Sequence, residues 1–169
     1  RYAITPEIAF RGSFSTGFRA PSLVQKYYSL QFTNFAGGEL VTIQLAANDS
    51  DLAKQVGIPE LKQETSVNGS GGFTFNSKNF TATIDGYYVK VKDRIVLTGN
   101  FDQSDDKIGQ ILIDNHIDQA QFFTNAIDTK TLGLDIILTY SENLGSGKLT
   151  PSFEANLTDM QINSANPTP

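Results

Sequence analysis

The residues best able to do chemistry are few. His116 is the only histidine, and it lies between Asp114 and Asp118. One imidazole among carboxylates supplies too few ligands for a strong transition-metal site. Asp102, Asp105 and Asp106 could offer oxygens to Ca²⁺, but they lack the glycine and terminal glutamate spacing of an EF-hand loop. A solvated acidic loop is expected there, with no metal. Gly145-Ser146-Gly147-Lys148 matches a phosphate-binding loop only in part. Glu142 stands where the first glycine is needed and Leu149 where Ser or Thr is needed, so the segment reads as a turn. With no cysteine, disulfides, thiol nucleophiles and thiolate metal sites are excluded. No nucleophile–base pair is evident, so no catalytic residue and no cofactor are expected, and the chain is not read as an enzyme. A formal charge of −5 argues against nucleic acid as a partner.

The elements that would carry these residues are strands, because the strongest signal in the chain is alternation. Ile8, Phe10, Phe14 and Phe18 line one face of a segment whose other face is Glu7, Arg11, Ser13, Ser15 and Arg19. The pattern recurs, and predicts strands at about 7–19, 64–75, 79–95, 129–140 and 148–159, with 1–4 as the tail of another. Each clean alternating stretch is about nine to eleven residues, the length with which a tilted strand crosses a bilayer. No apolar run is long enough for a membrane helix, and no leader peptide is expected in Arg1-Tyr2-Ala3. Only 39% of the residues are hydrophobic. That suits a soluble protein, but equally a barrel strand that is apolar on one face.

The connections alternate in length. Short turns are predicted at 76–79 and 141–148, and long loops at about 20–63 and 97–128. Compact soluble domains rarely carry such loops. Transmembrane barrels do, with short turns on the periplasmic side and long loops outside. Within the first loop, Asp49-Ser50-Asp51 followed by Gly57 and Pro59 predicts one or two helical turns. Sequons at Asn48, Asn68, Asn79 and Asn156 are read as chance.

Specific segments then carry a resemblance. Ser13-Phe14-Ser15-Thr16-Gly17-Phe18-Arg19-Ala20-Pro21-Ser22 resembles the barrel of TonB-dependent outer-membrane receptors. So does Gly57-Ile58-Pro59-Glu60-Leu61-Lys62-Gln63-Glu64-Thr65-Ser66, similar to the family's "LKPET" stretch with Gln63 where proline is usual. Segments 87–95, 126–135 and 147–150 fit in the same order. The resemblance implies an all-β fold: an antiparallel up-and-down meander, part of a large transmembrane barrel of the 22-stranded type. It implies a Gram-negative outer-membrane receptor that imports a scarce nutrient (ferric siderophore, haem, cobalamin or glycan) powered by the TonB complex. The chain is expected to be a slice from the C-terminal half of the barrel, without plug, TonB-contacting segment or the usual aromatic-ended last strand.

Three groups of residues follow as candidates. Tyr27, Tyr28, Phe32, Phe35, Phe122 and Phe123 fall in the external loops, where they form either a local mini-core or, with Arg19 and His116, a surface for a small-molecule or glycan ligand. Arg19 could instead pair with a carboxylate at the rim. Asp85, Asp135 and Glu154 fall on the inward face, as an acidic belt for the plug domain or as independent wetted carboxylates. If Tyr140 pairs with Leu149, Asp135 stands opposite Glu154, an unfavourable arrangement. Lys90, Lys92, Arg94 and Lys130 fall on the lipid-facing parity at the height of lipopolysaccharide phosphates, as headgroup contacts or solvated strand extensions. Phe73, Phe75, Phe80, Tyr87, Tyr88 and Tyr140 are expected in aromatic girdles. The rival reading is a soluble cell-surface β-sandwich that packs the apolar faces on each other and binds carbohydrate.

Overall fold

The computed structural model describes residues 1–36 and 38–165; the chain end at 166–169, where the final-strand expectation falls, lies outside them. In chain order the elements are β1 (Tyr2–Ala3), β2 (Ile8–Arg19), α1 (Leu23–Tyr27), β3 (Leu30–Ala36), β4 (Glu39–Ala46), α2 (Asp51–Val56) and β5 (Glu64–Asn76). There follow β6 (Phe80–Leu97), β7 (Phe101–Asp102), α3 (Gly109–Asp114), β8 (Gln119–Tyr140), β9 (Glu142–Leu144), β10 (Gly147–Leu149) and β11 (Ser152–Ala165). The main sheet runs β1-β2-β5-β6-β8-β4-β3, with β7 and β11 also on β8. The long strands β2, β5, β6, β8 and β11 are therefore neighbours in sequence order, an antiparallel meander that does not close among the described residues. Contacts gather into two units: residues 1–17, 66–91 and 129–163, and residues 18–65 and 92–128.

The first unit is one sheet with chemically opposite faces. Phe10, Phe14, Phe73, Ile84, Leu132, Phe153 and Leu157 share the apolar parity and all are exposed, Phe14 to 75%. The ring pairs Phe10–Phe73 and Phe75–Phe80, at 5.3 and 6.3 Å between centroids, tie neighbouring strands on that face. A β-sandwich would bury such a face; a membrane strand turns it to lipid. The opposite face is small and polar, with Ser13 bonded to Ser70 at 2.8 Å.

The hairpin after β8 has a different register from the one expected. Leu149 pairs with Glu142, Lys148 with Asn143 and Gly147 with Leu144, leaving Gly145-Ser146 as a two-residue turn. Gly145 has φ +60, the left-handed value the first turn position of a type II′ hairpin requires. Tyr140 N donates to Pro151 O at 3.1 Å. The pairing is thus two residues removed from a Tyr140–Leu149 pair, and Asp135 meets Asn156, whose Nδ2 donates to Oδ1 at 2.5 Å, rather than Glu154. The turn sets the register, and it places an amide where a second carboxylate would repel.

The second unit shows that the long connections are built. Strand β8 begins at Gln119, well before the expected 129, because Ala120, Phe122 and Thr124 alternate into a buried face. Strand β4 pairs with it in parallel, Ile43 with Gln119 through Ala46 with Phe122, and β3 pairs antiparallel with β4. The core is Ala46, Leu52, Ala53, Val56, Ile58, Ile108, Leu112, Ile117, Ala120 and Phe122. Helix α2 is capped by Ser50, whose hydroxyl accepts from Ala53 N, and stops at Gly57, φ +83. Two asparagines fasten the chain returning toward β5. Asn48 donates to Pro59 O and Phe123 O and accepts from Leu61 N; Asn125 accepts from Lys62 N and donates to Lys62 O and Asp93 O. A buried amide with both ends bonded stands in for strand pairing.

Candidate functional site

On the polar face of the first unit, Arg11 forks onto Asp85, with Nε donating to Oδ1 at 2.8 Å and Nη2 to Oδ2. Gly72 leaves room for this carboxylate, since a Cβ there would fall on Asp85 and on the Ile84 carbonyl. One member of the expected acidic belt is therefore neutralised within the sheet. Asp135 accepts from Asn156, whose Oδ1 accepts from Thr158 Oγ1 at 2.7 Å. Among the described residues, Glu154 has no hydrogen bond or ion pair, and its side chain is exposed.

Tyr87 belongs to this polar face and not to a girdle. It shares the parity of Asp85, its ring lies over Gly133 where a Cβ would collide, and its hydroxyl bonds to Thr158 at 2.7 Å. Tyr88 takes the other face, with Lys130 Nζ 5.8 Å from its ring centroid. Phe73, Phe75 and Tyr140 are exposed on the apolar face, as girdle residues would be.

The basic residues separate. Lys90 and Lys130 stay in the first unit, both half-buried. Between Lys92 and Arg94, Asp93 adopts φ +55 and its N donates to Asp128 Oδ1 at 2.9 Å. A left-handed residue interrupts alternation. Lys92 is exposed, and Arg94 is half-buried and acts electrostatically on the Glu64 carboxylate.

In the second unit Arg19 binds Glu64 through Nε at 2.9 Å and Nη2 at 2.5 Å, so its charge is engaged. Phe122 is fully buried and belongs to the core; it is not a contact surface. Phe123 is half-buried beside it in sequence. Tyr27, Tyr28, Phe32 and Phe35 are exposed, Phe35 to 69%. His116 is exposed at φ +58 and ends α3: its N donates to Ile113 O, and Ile117 N donates to Leu112 O. That is a Schellman stop with histidine in the glycine position and Ile117 packed with Leu112 in the core.

A polar hollow of about 320 Å³ in this unit is lined by Glu39, Asp102, Gln103, Ser104, Asp118 and Gln119, among others. Asp118 accepts from Thr42 N at 2.7 Å and from Gln103 Nε2 at 3.3 Å. The Ser104 hydroxyl and then its N–H, both donating to Asp102 Oδ1, hold the Asp102 carboxyl below its ordinary range. Alternation could not bring Glu39 to this hollow. The Asp-x-Ser turn at 102–104 is a local signal for one wall of it. Among the described residues no group of three or more His, Asp or Glu side chains is gathered as metal ligands would be.

No curated protein matches the chain. The family model described as TonB dependent receptor-like, beta-barrel, matches residues 1–167. With its alternating strands, lipid-type apolar face and structured loops, the chain belongs to the TonB-dependent receptor β-barrel family of the Gram-negative outer membrane.

Proposed function

We propose that this barrel segment serves an active-transport receptor, one that captures a scarce nutrient outside the cell and imports it with energy from the TonB complex. The observation that carries this reading is the built external unit: a packed core presenting exposed Tyr27, Tyr28, Phe32 and Phe35. Exposed aromatic rings suit contact with a ferric siderophore, haem, cobalamin or glycan. The polar hollow at Asp102, Gln103 and Asp118 favours a ligand rich in hydroxyl or amide groups. The reading is of a binding and transport role without catalysis. The test is growth of a deletion strain on single iron, vitamin or glycan sources. Loss of growth on one source, restored by the full-length gene, is expected; normal growth on all of them would rule the reading out.

The polar face supports a finer reading of the plug contact. Asp85 already has Arg11, so the carboxylates left for basic groups of the plug are Glu154 and Asp135. Asp135→Asn with Glu154→Gln in the full receptor is expected to loosen the plug, read as faster proteolysis of it. An unchanged rate would remove the carboxylates from that role.

A further inference from the structure

We propose that the apolar face of the first unit seats one phosphorylated outer-leaflet lipid, with its phosphate against Lys90 and Lys130 and an acyl chain in a glycine-lined groove. The inference rests on the membrane placement of the family. The groove measures about 370 Å³, and its walls include Gly69, Gly71, Gly86, Tyr88 and Leu132. It exists because side chains are missing from a face otherwise covered by Phe and Leu. A Cβ at Gly69 would meet nothing within 4 Å, and one at Gly86 only the carbonyls of Gly71 and Gly133.

One end of this groove is cationic. Lys130 Nζ lies 5.8 Å from the Tyr88 ring centroid, which puts both on the groove's face. Lys90 follows Tyr88 by two positions on β6, so it shares that face roughly 7 Å further along the strand. Among the described residues neither ammonium is in an ion pair. Strand β6 leaves the short turn at 76–79 and runs toward the long external connection, so the lysines fall on the outer-leaflet side. An apolar groove continuous with the lipid-facing surface and ending in two ammonium groups matches an amphiphile with an anionic head. A zwitterionic lipid, whose own ammonium partly cancels its phosphate, fits less well. Tyr88 suits the boundary, with its ring toward the chain and its hydroxyl toward the headgroup.

The full-length receptor, purified in detergent and stripped of lipid, is titrated with diphosphoryl lipid A and read by native mass spectrometry, with phosphatidylethanolamine as the zwitterionic control. One lipid A per barrel is expected, with weaker phosphatidylethanolamine binding. Lys90→Ala with Lys130→Ala is expected to weaken lipid A binding about tenfold or more. Gly69→Leu puts an apolar side chain into the groove from a position where a Cβ meets nothing within 4 Å, and is expected to lower retention while the heat-modifiable gel shift of the folded barrel persists. Should the double lysine variant misfold, Lys90→Gln with Lys130→Gln replaces it. Unchanged lipid A binding in the folded variants, or equal binding of phosphatidylethanolamine, overturns the proposal. Nutrient uptake is not the readout, so failure here leaves the transport reading standing, and failure of that reading leaves this one testable.

Discussion

Arg19 and Glu64 join the end of β2 to the start of β5 through two hydrogen bonds, and Glu64 also accepts from Ile95 N at 2.8 Å. The Glu64 side chain is 9% exposed and that of Arg19 58%. The pair is thus intermediate between a surface and a buried ion pair. Arg19→Ala would leave the shielded carboxylate only the Ile95 N–H and the charge of Arg94, at a cost of about 2 kcal/mol. Arg19→Lys should recover only part, since an ammonium cannot reproduce the fork. Urea midpoints of refolding for the full receptor would check this, and identical midpoints for all three proteins would contradict it.

Tyr87 and Gly133 make a second joint that can be tested. A methyl at 133 would meet the ring. Gly133→Ala should therefore cost about 1–3 kcal/mol through overpacking. Tyr87→Phe removes the bond to Thr158 and should cost about 1 kcal/mol. In a double-mutant cycle, Gly133→Ala placed on Tyr87→Ala should be nearly harmless, because the clash has gone. Additive losses would mean that the ring does not occupy this place.

His116 holds a left-handed backbone that glycine adopts without penalty. His116→Gly should stabilise the end of α3 by about 1 kcal/mol, and His116→Ala should bring no such gain. Hydrogen-exchange protection of the 109–117 amides reads the difference. Equal protection in both variants would deny the helix-stop role.

The Asp102 turn should respond to acid. Its carboxyl is held below the ordinary value of 3.8 by the Ser104 hydroxyl and N–H, against a small opposing effect of desolvation. A depressed folded value means that the stabilisation is present above the unfolded value and fades as pH falls through the folded one. Protection factors at Ser104, corrected for intrinsic exchange, should hold from neutral pH down to about 4 and then fall. In Asp102→Asn this acid step should disappear, and its persistence there would assign the step to another group.

Much of the fold is legible in the sequence, because strand alternation is a local property. Successive side chains point to opposite faces whatever lies next door. Phe10, Phe14, Phe73 and Leu132 therefore declare the apolar face, and the Asp49–Pro59 segment declares its helix through cap and stop residues. Of the candidate site, the exposure of Tyr27, Tyr28, Phe32 and Phe35 agrees with their place in the loops. That the mini-core takes Phe122 rather than Phe123 was not legible, since the two differ only in which side of β8 meets α2 and α3.

The amino-acid sequence by itself determined the class of protein: one-faced strands long enough for a bilayer, and short turns alternating with long connections. Tertiary structure decided which charges are spent. The Gly145 turn placed Asn156 beside Asp135 and left Glu154 without a partner among the described residues; Arg11 took Asp85; and Arg19 took Glu64. Parity is set by backbone sterics within a few residues, whereas register and pairing depend on turns and partners distant in the chain.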